Sequence, residues 1–186
     1  LASVVIWFLQ AFGVVDGRMV LVDEDQVSFL EIIGSAIAPI FMPLGFGNWK
    51  ATVATITGLV AKENVVATFG ILYGLPDYSE VIPEMVADLP ALSAYSFLVF
   101  NLLCAPCFAA MGAIKREMND GKWTAGAIGY LTVFAYVISL IIYQLGLIFT
   151  GDGFTIWTAF ALLALAVLLY LLFRKNPYKL QKKAVA

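Results

Sequence analysis

The chain has 186 residues, 62% of them hydrophobic and 13% charged, with a formal net charge of −2 and a mean hydropathy of +0.92. Soluble domains average about 25% charged residues, so this is a membrane composition. No histidine is present, which excludes HExxH zinc chemistry and Ser-His-Asp catalysis and removes the commonest metal ligand.

In chain order, the first apolar run, LASVVIWFLQAFG, covers residues 1–13. It falls short of the roughly 20 residues a span needs and lacks the basic flank of a signal peptide. It reads as the C-terminal end of a truncated transmembrane helix. Residues 14–27 form an acidic loop, with Asp16, Asp23, Glu24 and Asp25 against Arg18. The 28–75 unit then goes into the membrane and returns. Its inward limb is interrupted by Pro39, Pro43, Gly45 and Gly47, and proline in a helix interior costs about 3 kcal/mol. That limb should be short, kinked or re-entrant, whereas the return limb, 49–74, is long enough to span.

A second acidic loop, 76–93, carries Asp77, Glu80, Glu84 and Asp88 and no base. Three transmembrane helices follow within 94–173, and residues 174–186 are a basic tail. Lys115, Arg116 and Lys122 gather between the first two of these helices, and Arg174, Lys175, Lys179, Lys182 and Lys183 crowd the tail. The positive-inside rule makes both basic segments cytoplasmic and the acidic loops external. The expected architecture is all-α, a polytopic transmembrane helix bundle with a Pro/Gly-broken or re-entrant helical hairpin.

Two constellations carry chemistry. The first is TGLVAKENVVATFG, where Lys62, Glu63 and Asn64 sit midway along the return limb. A charge at the bilayer centre costs roughly 2.5–3.5 kcal/mol, and neighbours on a helix project about 100° apart, so each needs its own partner. Asn64 lines up at helical spacing with Thr57, Ala61 and Thr68, while Glu63 lines up with Ala67, Gly70 and Gly74, a small-residue face of the GxxxG type. The triplet is either a brace between helices or part of a route for a polar or charged solute. Lys62 has donors only and is a poor cation ligand, which suits it to hold a carboxylate or a helix C-terminus.

The second constellation is FNLLCAPCFAAMGAIKREM, residues 100–118. Pro106 cannot donate to the carbonyl of Leu102, so a kink and a freed oxygen are expected. Asn101, Cys104, Cys107 and Met111 recur near helical spacing, a soft donor set that suits a transition metal better than calcium or magnesium. The same residues are ordinary apolar core members, and both readings stay open. Two cysteines three residues apart on a helix do not suggest a disulfide. No GxxxxGK[ST] phosphate loop occurs.

AIAPIFMPLGFGNWKATVATITGLVAKENVVATFGILYG, followed by SAYSFLVFNLLCAPCFAAMGAIKREM, resembles the C-terminal membrane region of the ferrous iron transport protein B (FeoB) family. The resemblance implies a second gate segment at 28–75, in a protein whose GTP-binding domain and first gate are absent from this stretch. It implies Fe²⁺ import across a bacterial or archaeal cytoplasmic membrane, with no catalytic site in this part and no tightly bound cofactor. GTP and Mg²⁺ belong to the absent domain, and Fe²⁺ is the transported substrate. By position the gate cysteine corresponds to Cys107, and AKEN ends on Lys62, Glu63 and Asn64. Cys107, Cys104, Glu63, Asn64, Asn101 and Met111 are the expected Fe²⁺ pathway. Lys62, Pro106, Pro39, Pro43, Gly70 and Gly74 are the expected structural or gating positions. The implied partners are the lipid bilayer, the absent domain and gate, a small accessory protein of the same system and further copies of the chain, but no nucleic acid. Alternatives are a gate-type transporter of a nucleoside or other organic solute, and a membrane scaffold.

Overall fold

The computed structural model describes residues 12–15, 18–21, 29–60, 62–73, 78–151 and 154–174. The expected helix end at 1–11, Gly74 and the basic tail after Arg174 lie outside the described residues. Where the helix end and acidic loop were expected, β1 (Phe12–Val15) and β2 (Arg18–Leu21) pair antiparallel, with Phe12 opposite Leu21 and Val15 opposite Arg18. The residues between them in sequence are Asp16 and Gly17, a pair favoured in two-residue hairpin connections. These are the only strands among the described residues.

The helical part begins with α1 (Phe29–Ile37), which gives way to two 3-10 turns, Ala38–Ile40 and Met42–Leu44. Pro39 and Pro43 stand in the opening positions of those turns, where a missing N–H does least harm. Gly45 ends the second turn at φ 86°, a conformation costing other residues about 1–2 kcal/mol. Any Cβ there would also run into the Tyr143 ring.

Residues 49–74 do not form one spanning helix. They form α2 (Trp49–Val60) and α3 (Asn64–Leu72), which fold back on each other about a turn at Lys62 and Glu63. The Thr57 and Thr68 hydroxyls meet at 2.9 Å across the pair, although a straight helix would hold them about 16 Å apart. The reversal places both charged residues at a tip instead of burying them on two faces of a helix. Threonine also loosens the local ladder, since Thr52, Thr55 and Thr57 hydroxyls donate back to the carbonyls of Asn48, Ala51 and Ala54.

The chain continues as α4 (Tyr78–Asp88), α5 (Ala91–Leu103), α6 (Phe108–Met118), α7 (Gly121–Thr150) and α8 (Ile156–Phe173). Among the described residues, three stretches are long and apolar enough to cross a bilayer: Ala91–Met118, which is α5 and α6 in series, then α7 and α8. A helical transmembrane bundle is therefore the fold. Its core sits between the broken limb, the α2–α3 hairpin, α5 and α7. There Phe41, Phe46, Phe69, Phe97 and Phe100 pack ring against ring, with centroids 5.3–5.9 Å apart.

The broken limb survives in this setting because α7 and α5 pair its backbone. Tyr136 donates to the carbonyl of Ile40 at 2.8 Å, Gln144 to that of Pro43 at 2.8 Å, and Ser96 to that of Leu44 at 2.7 Å. Ser139 lies 2.7 Å from Ser96 and donates to its carbonyl, while Thr158 of α8 donates to Gln144. At one rim Lys50 and Tyr73 both donate to Asp88 Oδ2, at 3.0 and 2.8 Å, and Lys50 stands over the Tyr73 ring. Both ends of the hairpin are thereby tied to the end of α4. Burial opposes ionisation of Asp88, but the hydrogen bonds from Lys50 and Tyr73 outweigh it and hold its carboxyl below the usual range.

Two outcomes follow from these contacts. Gln144→Leu leaves the Pro43 carbonyl without its donor and the Thr158 hydroxyl without its acceptor, although that oxygen still accepts from Thr155 N, and should cost roughly 1–3 kcal/mol. A lowered melting temperature in detergent checks this; an unchanged one means α7 does not hold the limb. Because the folded Asp88 carboxyl is depressed, its stabilisation is complete above its unfolded value near ~3.9 and fades as pH falls through the folded one. The melting advantage of the native chain over Asp88→Asn should therefore persist at neutral pH and disappear in strong acid, which a pH series of melts would reveal.

Candidate functional site

Two backbone interruptions meet. One is the four-residue gap between α5 and α6, Cys104 to Cys107, where Pro106 supplies no N–H. Cys104 (ψ 171°) and Cys107 (ψ 160°) are extended, so the expected kink is a complete break. The last internal bond of α5 runs from Cys104 N to Phe100 O at 2.8 Å, which leaves the later carbonyls of the helix unpaired by its own ladder.

The other interruption is the tip of the α2–α3 hairpin. From it the Lys62 ammonium donates to the carbonyls of Asn101 at 2.8 Å, Leu102 at 3.0 Å and Cys104 at 3.5 Å. A cation thus sits on the C-terminus of α5, where freed oxygens and the helix dipole both favour positive charge. Gly58 permits the approach. A Cβ on it would lie 2.7 Å from Val65 Cγ2 and 3.3 Å from Asn101 Oδ1. Asn101 is held by its own helix, its amide donating to Phe97 O at 2.9 Å.

The sequence-selected residues divide. Lys62, Asn101, Cys104 and Pro106 are brought together at the break. Cys104 is buried, its thiol turned toward the carbonyls of Asn101 (3.4 Å) and Ala105 (3.7 Å). Cys107 is half-buried at the head of α6, with Met111 one turn further along. Because the helix is interrupted between Leu103 and Phe108, with extended backbone at Cys104 and Cys107, Asn101, Cys104, Cys107 and Met111 do not share one continuous helix face. Glu63 is exposed at the hairpin tip, and among the described residues its carboxylate has no hydrogen bond or ion pair. Asn64 opens α3, its carbonyl accepting from Thr68 at 2.8 Å. Gly70 lies in α3 and is half-buried. Pro39 and Pro43 belong to the broken limb, which reaches the end of α5 through the packing of Phe41 and Phe46 on Phe100.

Among the described residues no three Cys, Asp or Glu side chains stand close enough to hold a metal ion. The break instead offers backbone oxygens, one ammonium and a half-buried thiol. Sequence reasoning missed Gly58 and the row of donors on α7. Gln144, the one amide in an apolar helix of 30 residues, is the signal that could have pointed to that row.

A family model described as "Gate: Nucleoside recognition" matches residues 1–121. The chain is similar to the protein named Fe(2+) transporter FeoB from Staphylococcus aureus (strain COL), 39% identical over 147 residues, 79% of this chain and 21% of that protein. It is also similar to the Fe(2+) transporter FeoB of Methanocaldococcus jannaschii, 33% identical over 148 residues, covering 77% of this chain and 22% of that one. A third relative, from Porphyromonas gingivalis, is named Fe(2+) transport protein A/Fe(2+) transporter FeoB fusion protein; it is 30% identical over 146 residues, 71% of this chain and 17% of the fusion. The chain thus spans about a fifth of the length of the curated relatives it matches. No solved structure matches it.

The approach at Gly58 is open to a direct check. Gly58→Leu forces α3 away from α2 and should destabilise the protein by roughly 1–3 kcal/mol through overpacking. Gly58→Ala should show a smaller loss of the same kind. Melting temperatures of the two variants test the order, and an unperturbed leucine variant would mean the hairpin does not close here.

Proposed function

This chain belongs to the Gate family as part of the membrane region of the FeoB proteins, and we propose that it forms the second gate half of a ferrous-iron path. The observation that carries the reading is the meeting of two backbone interruptions inside a helical bundle. Carbonyl oxygens released from their helix ladder, a half-buried thiol and the one ammonium that pairs those oxygens gather where a plain scaffold would keep its ladders intact. Broken helices with exposed carbonyls are the usual material of ion sites in transporters. The names of the relatives supply the identity of the ion.

In this reading Cys107 and Glu63 line the route, because the half-buried thiol and the exposed carboxylate have no hydrogen-bond partner among the described residues. Cys104, Asn101, Asn64 and Met111 border it. Fe²⁺ is cargo, so sites along the route bind weakly and in sequence. No cofactor is held here, and GTP with Mg²⁺ acts in a domain outside this stretch. The fusion named for one relative supports a small accessory protein as a partner. Exposed Lys115, Arg116 and Lys122 at the α6–α7 turn favour a cytoplasmic location for that end, in a bacterial or archaeal inner membrane.

The family description favours a second reading, a gate for a nucleoside. An aromatic pocket would support it, but Phe41, Phe46, Phe97 and Phe100 are buried against each other. Anaerobic Fe²⁺ uptake into proteoliposomes by the full-length parent separates the readings. Cys107→Ser and Glu63→Gln should each lower uptake roughly tenfold or more, as loss of metal-site groups commonly does, while the protein remains folded. Normal uptake by both would remove this half from the ion's route.

A further inference from the structure

Three carbonyl oxygens, those of Asn101, Leu102 and Cys104, converge on the Lys62 ammonium at 2.8, 3.0 and 3.5 Å. They are available because α5 ends there and Pro106 brings no donor. An ammonium and a metal ion ask the same of such a cluster, namely oxygen lone pairs aimed at one point. The ammonium differs in being tethered. It hangs on a flexible four-carbon stem at a turn between helices, so it can leave without unwinding either one. Next to it Glu63 is exposed, and its carboxylate has no partner among the described residues. That negative charge stands ready for whichever cation is displaced.

We propose that Lys62 is a tethered cation that keeps this carbonyl cluster closed to ions, and that a divalent cation opens the route by displacing it. The inference rests on the cation-transport reading above. Two positive charges cannot share the cluster, because like charge at contact distance disfavours both. Occupancy by ammonium or by metal is therefore exclusive. A lysine that merely caps a helix would contribute stability alone; a competitor makes its own exposure depend on the metal.

The test uses the full-length parent in detergent under anaerobic conditions. Acetylation of Lys62 by an amine-reactive ester is followed by mass spectrometry as Fe²⁺ or Mn²⁺ is added, with Lys50, engaged by Asp88, as internal reference. Displacement predicts a several-fold rise in labelling of Lys62 with either metal and none at Lys50. Flat labelling of Lys62 with both metals overturns the proposal. In proteoliposomes Lys62→Met should carry Fe²⁺ without nucleotide several-fold faster than the native protein, while Lys62→Arg stays closed. A folded Lys62→Met protein with no such leak also overturns it. If that variant does not fold, the labelling of the native protein decides alone. If the native protein carries no Fe²⁺, the transport reading fails, and the labelling result still settles the displacement.

Discussion

A chain that interrupts its helices inside a bilayer must find a partner for every backbone group it releases, since lipid supplies none. This constraint organises the structure. The break after α5 releases carbonyls, and Lys62 takes three of them. The 3-10 turns at Ala38–Ile40 and Met42–Leu44 release others, and Tyr136, Gln144 and Ser96 take those. In each case the donor comes from an element distant in sequence, so the breaks also staple the bundle together.

Element lengths explain why the two interruptions meet. The hairpin and α5 start at the same rim, where Lys50 pairs with Asp88 just before α5. From there α2 has 12 residues and α5 has 13, so both descend by about 18–20 Å at 1.5 Å per residue. Matched lengths therefore bring the hairpin tip to the level of the Cys104–Cys107 gap, and Gly58 lets the surfaces close without a side chain between them. The aromatic packing of Phe41, Phe46, Phe97 and Phe100 sets the limb against the same end of α5.

The chemistry at this level is unlike that of a resident metal centre. No three acidic or thiol groups converge among the described residues, and the most concentrated ligand set is already occupied by an ammonium. On the proposed reading, such an arrangement suits an ion that passes through better than one that stays. The lipid-facing side is as plain as the interior is structured. Exposed Leu, Phe and Tyr side chains dominate α8, which contributes to the polar interior through Thr158.

Sequence alone determined the solvent, because 62% hydrophobic residues and long uncharged runs admit no aqueous fold. It also located the breaks at Pro39, Pro43 and Pro106, since a missing N–H is a local property. The donor-only chemistry of Lys62 was legible for the same reason. What it did not determine was the path of residues 49–74, for their length suits a span and a hairpin equally well. The Asp16–Gly17 hairpin signal was present but overshadowed by the apolar run before it. Only the tertiary structure decided that Thr57 meets Thr68 across a reversal, that Lys62 chooses the carbonyls of Asn101, Leu102 and Cys104, and that α7 supplies the limb's donors. Hydropathy and helix propensity add up residue by residue along the chain. The partner of a freed carbonyl is chosen by packing, between residues about 40 to 101 positions apart.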